Sequence, residues 1–126
     1  MTRTERNNIF QLPDGNYAMY AYGAPVNWQD ADGSWHPINP TLVSDALGRL
    51  ENTSGPVKFS FAALAGTESL FRASGDGWSA GFTLEGMLVG TPGLADGHKI
   101  RYPGILNGID LEYEVGRTSV RKFVVL

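Results

Sequence analysis

Pro56-Val-Lys-Phe-Ser-Phe61 is the stretch with the clearest pattern in the chain, because its apolar residues alternate with a lysine and a serine. A period of two is expected of a β-strand that buries one face. Immediately downstream, residues 68–73 and 78–85 flank the turn Ser74-Gly-Asp-Gly77, which suits a tight reversal between antiparallel strands. The centre of the chain therefore predicts an antiparallel sheet.

A hairpin is also predicted near the start of the chain. Residues 6–11 and 17–22 flank Leu12-Pro-Asp-Gly-Asn16, where proline fixes φ and glycine accepts a positive φ. Aromatic or apolar side chains alternate onto both faces of residues 17–22. We expect both faces to be covered, which favours a sandwich or a closed barrel.

A second hairpin is predicted around Asp30-Ala-Asp-Gly-Ser34, which joins residues 25–29 to residues 35–38. This turn superficially resembles a calcium loop, but Thr41 stands where the distal bidentate acid of such a loop would be. A plain hairpin turn is the stronger interpretation.

The remaining segments are less regular. Residues 39–51 show no clean alternation and are expected to be mostly irregular, with room for a short strand or one helical turn. The glycine-rich residues 86–97 are expected to form a brief edge strand or a loose loop, the most mobile part of the chain. Final strands are predicted at residues 99–102, 109–115 and 120–126.

No run of ten or more residues has helical spacing, and turn signals recur throughout. These patterns predict a single all-β domain spanning residues 1–126, an antiparallel β-sandwich or barrel-like fold of about nine to ten short strands joined by hairpins. The chain ends on the apolar stretch Phe123-Val-Val-Leu126, as if cut from a longer polypeptide or as a strand awaiting a neighbour.

The composition excludes several classes of function. With 126 residues and no cysteine, the chain is expected to fold as one domain without disulfides, thiolate nucleophiles or thiolate metal sites. A net charge of −3 with no basic run argues against nucleic acid as a partner. No apolar stretch is long enough to insert into a membrane, and the charged start lacks the apolar segment of a signal peptide.

Four stretches carry a resemblance to a known family: residues 23–39, 52–59, 102–113 and 120–126. Together they resemble the N-terminal β-rich region of large secreted bacterial proteins, namely the cell-wall-associated, RHS (YD-repeat) and DNRLRE-domain proteins. The resemblance implies an extracellular or cell-surface location, with other domains of a parent chain as partners. Its motifs combine turn and strand residues without a catalytic signature.

Three tryptophans, Trp28, Trp35 and Trp78, are the candidates for a binding site. If exposed, they and nearby amides could stack on a sugar such as a cell-wall glycan, which would make the chain a carbohydrate-binding module. If buried, they are core residues, and alternation would let Trp28 and Trp35 face inward across their hairpin.

The candidates for chemistry are few. Asp110, Glu112 and Glu114 share one face of a predicted strand and allow a hydrolase as an alternative, although a solvated face explains them better. Only two histidines are present, so neither a metal site nor any other cofactor is expected. Lys58 could form an intramolecular crosslink to an asparagine if an acid lay beside both.

The sequence therefore favours a non-enzymatic structural, adhesion or assembly module that self-associates by strand addition. Its expected contact residues are apolar and lie towards the two ends of the chain: Ile9, Phe10, Phe123, Val124, Val125 and Leu126.

Overall fold

The computed structural model describes residues 1–66 and 68–126, in which the chain forms fourteen β-strands and no helix. The prediction of an all-β chain is confirmed. The predicted number of nine to ten strands is wrong, because several strands are only two or three residues long and residues 39–51 contribute to two strands. The strands are β1 Thr2–Arg3, β2 Asn7–Gln11, β3 Tyr17–Ala21, β4 Asn27–Gln29, β5 Trp35–Pro37, β6 Asn39–Ser44, β7 Leu50–Ser54, β8 Lys58–Phe61, β9 Phe71–Gly75, β10 Trp78–Phe82, β11 Leu94–Asp96, β12 Lys99–Leu106, β13 Ile109–Val115 and β14 Val120–Val125.

These strands form four antiparallel sheets. Their orders are β1-β2-β3, β4-β5, β10-β9-β8-β7-β6 and β11-β12-β13-β14. Each sheet has two edge strands and none closes on itself, so the barrel-like alternative is wrong. Neighbours in sequence are neighbours in each sheet, as expected where short turns connect antiparallel strands.

The segment 39–51, expected to be irregular, contributes to the hairpin of β6 and β7. Oδ1 of Asp45 accepts hydrogen bonds from the backbone N–H groups of Leu47 (2.8 Å) and Arg49 (2.9 Å), while Gly48 adopts a φ of 84°. Such an Asx turn is a reversal signal, and it was present in the sequence. Alternation was hidden because the register shifts between Asn39 and Leu42.

The two larger sheets share one hydrophobic core. Phe61 of β8 is fully buried, and its ring centroid lies 5.2 Å from that of Tyr113 in β13. The hydroxyl of Tyr102 in β12 donates a 2.7 Å hydrogen bond to the carbonyl of Ala62, which follows β8. Burial of each large apolar side chain contributes about 1.5–3 kcal/mol. The core therefore holds together elements that are far apart in sequence.

A backbone hydrogen bond joins the two larger sheets at one side of this core. The N–H of Leu42 in β6 donates to the carbonyl of Gly97, in the turn between β11 and β12, at 2.8 Å. This hydrogen bond links edge strand β6 of one sheet to the turn that follows edge strand β11 of the other. We call the opposite side, which edge strands β10 and β14 form, the open side.

The glycine-rich segment is anchored to the core by its backbone. Leu88 N–H donates to the carbonyl of Ile105, and Gly90 N–H donates to the carbonyl of Ala65. Residues 87–89 form no strand, but the segment does contain a brief edge strand, β11, near its C-terminal end. The fold thus uses the segment to cover one end of the core.

The sheet of β1, β2 and β3 stands apart from the core. Tyr17, Met19 and Tyr20 of β3 are 69%, 62% and 57% exposed. The expectation that both faces of this strand are covered is therefore wrong. Alternation of apolar residues shows that a strand could be buried on both faces, but it does not show that another element reaches it.

Buried Asn27 attaches this sheet to the rest of the chain. Its Nδ2 lies 2.7 Å from the carbonyl oxygen of Thr4, 3.2 Å from that of Asn7 and 2.7 Å from Oδ1 of Asn8. Its Oδ1 accepts a hydrogen bond from Arg3 at 3.2 Å. The side chain of Asn27, which is 1% exposed, thus supplies hydrogen bonds to the polar groups of the turn between β1 and β2.

Candidate functional site

The hairpin of β4 and β5 carries two of the three tryptophans, and its register separates their side chains. Trp28 lies opposite His36, and Gln29 lies opposite Trp35. Because successive side chains of a strand point to opposite faces, Trp28 and Trp35 leave the hairpin on different faces. The expectation that both face inward is therefore wrong; alternation alone could not show which residues lie opposite each other.

The carboxylate of Asp30 organises the turn of this hairpin. Its Oδ1 accepts hydrogen bonds from the backbone N–H groups of Asp32 (2.9 Å) and Ser34 (3.0 Å), and its Oδ2 lies 2.7 Å from Nε2 of His36. The hydrogen bond with His36, followed by that from Ser34, holds the pKa of Asp30 below its ordinary value. Both oxygens are engaged within the hairpin, as in a plain turn.

The indole of Trp28 is fixed from two sides. Its Nε1 donates a 2.7 Å hydrogen bond to Oγ of Ser54, and its ring centroid lies 5.3 Å from that of His36. Ser54 ends β7, so this bond ties the two-stranded sheet to the five-stranded sheet. The half-buried ring is therefore held in one orientation.

Two clefts meet at this hairpin and share Trp28, Gln29 and Pro56. Their volumes are about 370 Å³ and about 510 Å³. Trp28 and Trp35 both line the smaller cleft, although their side chains leave the hairpin on different faces. The other lining residues are Glu5, Pro25, Asn27, Ile38 and Thr118 in the smaller cleft, and Asp30, Ala31 and Asp76 in the larger one.

Trp78 lies outside both clefts, on edge strand β10. It is 49% exposed, and its indole lies over Gly75, the residue opposite it in the ladder. A Cβ added to Gly75 would lie 2.8 Å from Cε2 of this ring. Trp78 is thus neither a core residue nor a lining residue of either cleft.

The open side of the two larger sheets is a groove between β10 and β14. Phe82 of β10 lies opposite Phe71 of β9, and their ring centroids are 5.5 Å apart. The same Phe71 ring lies 5.5 Å from the ring of Tyr113. An aromatic cluster therefore runs outward from the core to Phe82, which is 52% exposed although it faces the core side of its sheet.

The groove has a volume of about 240 Å³, and β14 supplies its second wall through Val120 and Lys122. Residues 78–85 were predicted as a strand, but the sequence did not show whether another element covers Phe82. The exposure of Phe82 depends on how far the two sheets overlap, and the local sequence around Phe82 does not determine that overlap. The residues that line the groove are Phe71, Phe82, Thr83, Leu84, Tyr113, Val120 and Lys122.

Strand β14 is the outermost strand of the four-stranded sheet and carries the predicted apolar end of the chain. Phe123, Val124 and Leu126 are 42%, 58% and 95% exposed, while Val125 is half-buried. One edge of β14 pairs with β13, and its other edge has no neighbouring strand within residues 1–66 and 68–126. An unpaired edge with exposed apolar side chains is a template for another strand.

Ile9 and Phe10 occupy a different position from the one expected of contact residues at an edge. They lie in β2, the central strand of its sheet, and both are half-buried. Ile9 is paired with Thr2 on one side and with Met19 on the other. The two edges of this sheet are β1, which has two residues, and β3, which has five.

The three acidic residues of β13 are placed on one face, as predicted. Oδ2 of Asp110 accepts hydrogen bonds from Nη2 (2.6 Å) and Nε (3.1 Å) of Arg101, and its Oδ1 accepts one from the N–H of Gly104 (2.7 Å). Glu114 forms an ion pair with Lys99 at 3.9 Å.

These contacts lower the pKa of Asp110, chiefly through the Arg101 hydrogen bonds and then through the Gly104 N–H. A general acid needs a shift in the opposite direction.

Lys58 does have an acid and an asparagine beside it. Its Nζ donates to the backbone carbonyl of Asn52 at 3.1 Å and lies 3.6 Å from Oε1 of Glu51. The side-chain amide of Asn52 is engaged elsewhere, since it bonds the carbonyl of Val57 and the N–H of Phe59. The lysine thus forms a partly exposed ion pair, and the buried amide completes the ladder between β7 and β8.

In the part of the chain that the structure describes, no three His, Asp or Glu side chains come together as a metal site. Nor do these residues include a helix long and apolar enough to cross a membrane.

Comparison with known proteins gave no match to a family model, a curated protein or a solved structure.

Proposed function

We propose that this chain is a non-enzymatic structural, adhesion or assembly module of an extracellular bacterial surface protein, and that it associates through exposed strand edges. The observation that carries the proposal is the open side of the two larger sheets, where Phe82 and Val124 are more than half exposed on the faces turned towards the core. Its partners would be copies of itself or other domains of a parent chain.

The physical argument is that apolar groups and unpaired backbone are left uncovered together. Edge strands of monomeric proteins are commonly protected by a covering element or by charges. Strand β10 has no charged residue and all of its residues are exposed, while β14 has an apolar end beyond its two cations. Contiguous apolar surface next to a free edge is typical of an interaction site.

We further infer that the two larger sheets stack face to face as an incomplete sandwich, closed along β6 and β11 and open along β10 and β14. The contacts of Phe61, Phe71 and Tyr113 support this stacking. The resemblance of four stretches to the N-terminal region of secreted RHS, cell-wall-associated and DNRLRE-domain proteins supports the surface location.

The proposal is tested by measuring the mass and particle shape of the chain across a concentration series, by light scattering and electron microscopy. We expect discrete oligomers or polymers whose mass rises with concentration. A strict monomer up to millimolar concentration would overturn the assembly function.

A second candidate function is carbohydrate binding, favoured by the meeting of two clefts at Trp28. An aromatic ring held by Ser54, with Gln29 and several carboxylates around it, is suited to stacking on a neutral sugar. Titration with soluble cell-wall oligosaccharides should change tryptophan fluorescence. The change should vanish in Trp28→Ala and persist in Trp78→Ala, whose side chain lies outside both clefts.

A further inference from the structure

We propose that a cleft beside the turn between β6 and β7 binds an organic carboxylate with an apolar carbon chain, and that the guanidinium of Arg49 is its anion site. The cleft has a volume of about 400 Å³. Of the described residues that line it, none lines the two clefts at the hairpin of β4 and β5 or the groove between β10 and β14. A cleft of this size accommodates a small molecule or the end of a chain.

Two segments that are distant in sequence form the cleft. Leu50 of β7 lies opposite Phe61 of β8, so the turn before β7 and the segment after β8 lie at the same end of the five-stranded sheet. The backbone of Arg49 is fixed in this turn, because its N–H donates to Oδ1 of Asp45 and its carbonyl accepts the N–H of Asp45 at 2.7 Å. The guanidinium is therefore attached to a well-held backbone.

The guanidinium of Arg49 makes three hydrogen bonds, all to neutral oxygens. Its Nε donates to Oγ of Ser60 at 2.7 Å, its Nη2 to the carbonyl of Ser60 at 3.3 Å and its Nη1 to the carbonyl of Ser69 at 2.9 Å. A guanidinium has five N–H groups. One N–H on each terminal nitrogen is thus left without a hydrogen-bond acceptor in the described part of the chain.

The charge of Arg49 is weakly compensated. Its side chain is only 12% exposed, and its one anionic contact among the described residues is Glu68, whose Oε2 lies 3.6 Å from Nη1. The Glu68 side chain is 76% exposed, so it is loosely held. A largely buried charge needs close partners. A ligand carboxylate could accept both remaining N–H groups, the paired geometry that guanidinium groups favour.

The rest of the cleft is suited to a carbon chain. Leu47 and Leu64 both line it and are 88% and 61% exposed. Residues 61–66 contain no charged side chain. An aliphatic chain that extends from the carboxylate would remove these leucines from water, which is favourable. Phosphate or sulfate would meet the guanidinium but leave both leucines exposed, so the cleft favours an apolar carboxylate.

The first test compares three probes by NMR titration of the full chain. Hexanoate should give saturating shifts in the backbone amide signals of residues 47–49 and 62–66. Hexan-1-ol has the same chain without the charge, and acetate has the charge without the chain, so both should bind much more weakly. The proposal is overturned if hexanoate gives no saturating shift below its micelle concentration, or if either control probe binds equally well.

The second test removes the competing carboxylate of the protein itself. Glu68→Gln should bind hexanoate about two- to fivefold more tightly, because an exposed ion pair no longer has to be displaced. Glu5→Gln is the matched control, since Glu5 lines a different cleft and its substitution should leave the affinity unchanged. Unchanged affinity in Glu68→Gln would contradict the assignment of Arg49 as the anion site.

The third test changes the cleft itself. Leu64→Ser should weaken hexanoate binding, whereas Leu12→Ser, at an exposed leucine outside the cleft, should not. Arg49→Lys keeps the charge but loses the paired N–H groups, so it should also weaken binding. Circular dichroism shows whether this variant folds. If it does not, the Glu68 and Leu64 variants decide, and wild-type affinity in Leu64→Ser overturns the apolar subsite.

A final comparison separates two sources of the same chemistry. A short peptide that ends in leucine with a free carboxylate is titrated beside its C-terminal amide and beside hexanoate. Tighter binding of the free peptide than of hexanoate assigns the site to a chain terminus, and tighter binding of hexanoate assigns it to a small aliphatic acid. Equal binding of the peptide and its amide would overturn recognition of the carboxylate.

Discussion

At the scale of single residues, buried amides carry much of the connection between elements. Asn27 and Asn52 are each 1% exposed. The side-chain amide of each forms hydrogen bonds with backbone groups at places where a β-ladder ends. An unpaired buried polar group costs about 1–3 kcal/mol, so such side chains are hard to replace.

Replacement of Asn27 should therefore be costly. Asn27→Ala removes the side-chain donor to the carbonyl of Thr4 and one of the two donors to Oδ1 of Asn8, and we expect it to lower the free energy of unfolding by about 1–3 kcal/mol. Urea denaturation measures the change. The exposed amide of Asn16 is the control, since Asn16→Ala should change stability by less than about 0.5 kcal/mol.

Gly93 is required for space rather than for backbone conformation. A Cβ at this position would lie 2.8 Å from Cδ1 of Ile100, 2.8 Å from Cε1 of Tyr102 and 3.0 Å from the carbonyl oxygen of Ala62. We expect Gly93→Ala to cost about 1–3 kcal/mol through overpacking. Thermal melting should show a clear loss for Gly93→Ala and little change for Gly23→Ala, where a Cβ meets nothing within 4 Å.

At the scale of elements, local signals predicted the hairpins well. The turns around Asp30 and between β9 and β10 were recognised because Asp, Gly and Ser have known roles in reversals. The hairpin of β6 and β7 was missed although Asp45 and Gly48 carry the same signal. Its register shift broke the alternation, and only Leu42 of β6 is buried, so the strand had no clear apolar face.

The hairpin of β12 and β13 has a bulge that depends on charge. The register shifts between Tyr102 and Leu106, and the bulge contains Gly104 with a φ of 64°. Asp110 holds this bulge through the N–H of Gly104 and holds the strand through Arg101. Loss of its charge should loosen the hairpin.

This contact predicts a pH dependence. Because the folded pKa of Asp110 is lowered, its contribution to stability is present above the pKa of the unfolded chain, about 3.9, and is lost as the pH falls through the folded value. We expect the unfolding free energy to fall as the pH drops below about 4, and Asp110→Asn to flatten that profile. An unchanged profile in the variant would contradict the assignment.

At the scale of the whole molecule, the sequence predicted an all-β chain but not how its strands group into sheets. Whether β3 is covered, or whether Trp78 and Phe82 face solvent, depends on which strands overlap across a core assembled from distant segments. The smaller cleft could be partly predicted, because Trp28 and Trp35, which both line it, lie in one hairpin. Pro56 and Thr118 reach it only through tertiary packing.

The peripheral position of β1 to β3 predicts that the remainder folds without them. Their residues are absent from the hydrophobic core cluster, and their removal would expose the amide of Asn27 to water rather than bury it unpaired. We expect residues 23–126 to unfold cooperatively in urea, with lower stability than the full chain. Loss of dispersed amide resonances in an NMR spectrum of the shortened chain would contradict this.

The ultraviolet absorbance of Tyr102 reports on whether the core of the protein is intact. Its hydroxyl proton is held by the carbonyl of Ala62 in a site without solvent, and burial raises the pKa of this phenol strongly. Folding therefore favours the protonated phenol. The stability that Tyr102 contributes is lost as the pH rises above the pKa that tyrosine has in the unfolded chain. In an alkaline titration, the last tyrosinate absorbance should appear only when the sheets part, as one cooperative step that marks the opening of the core.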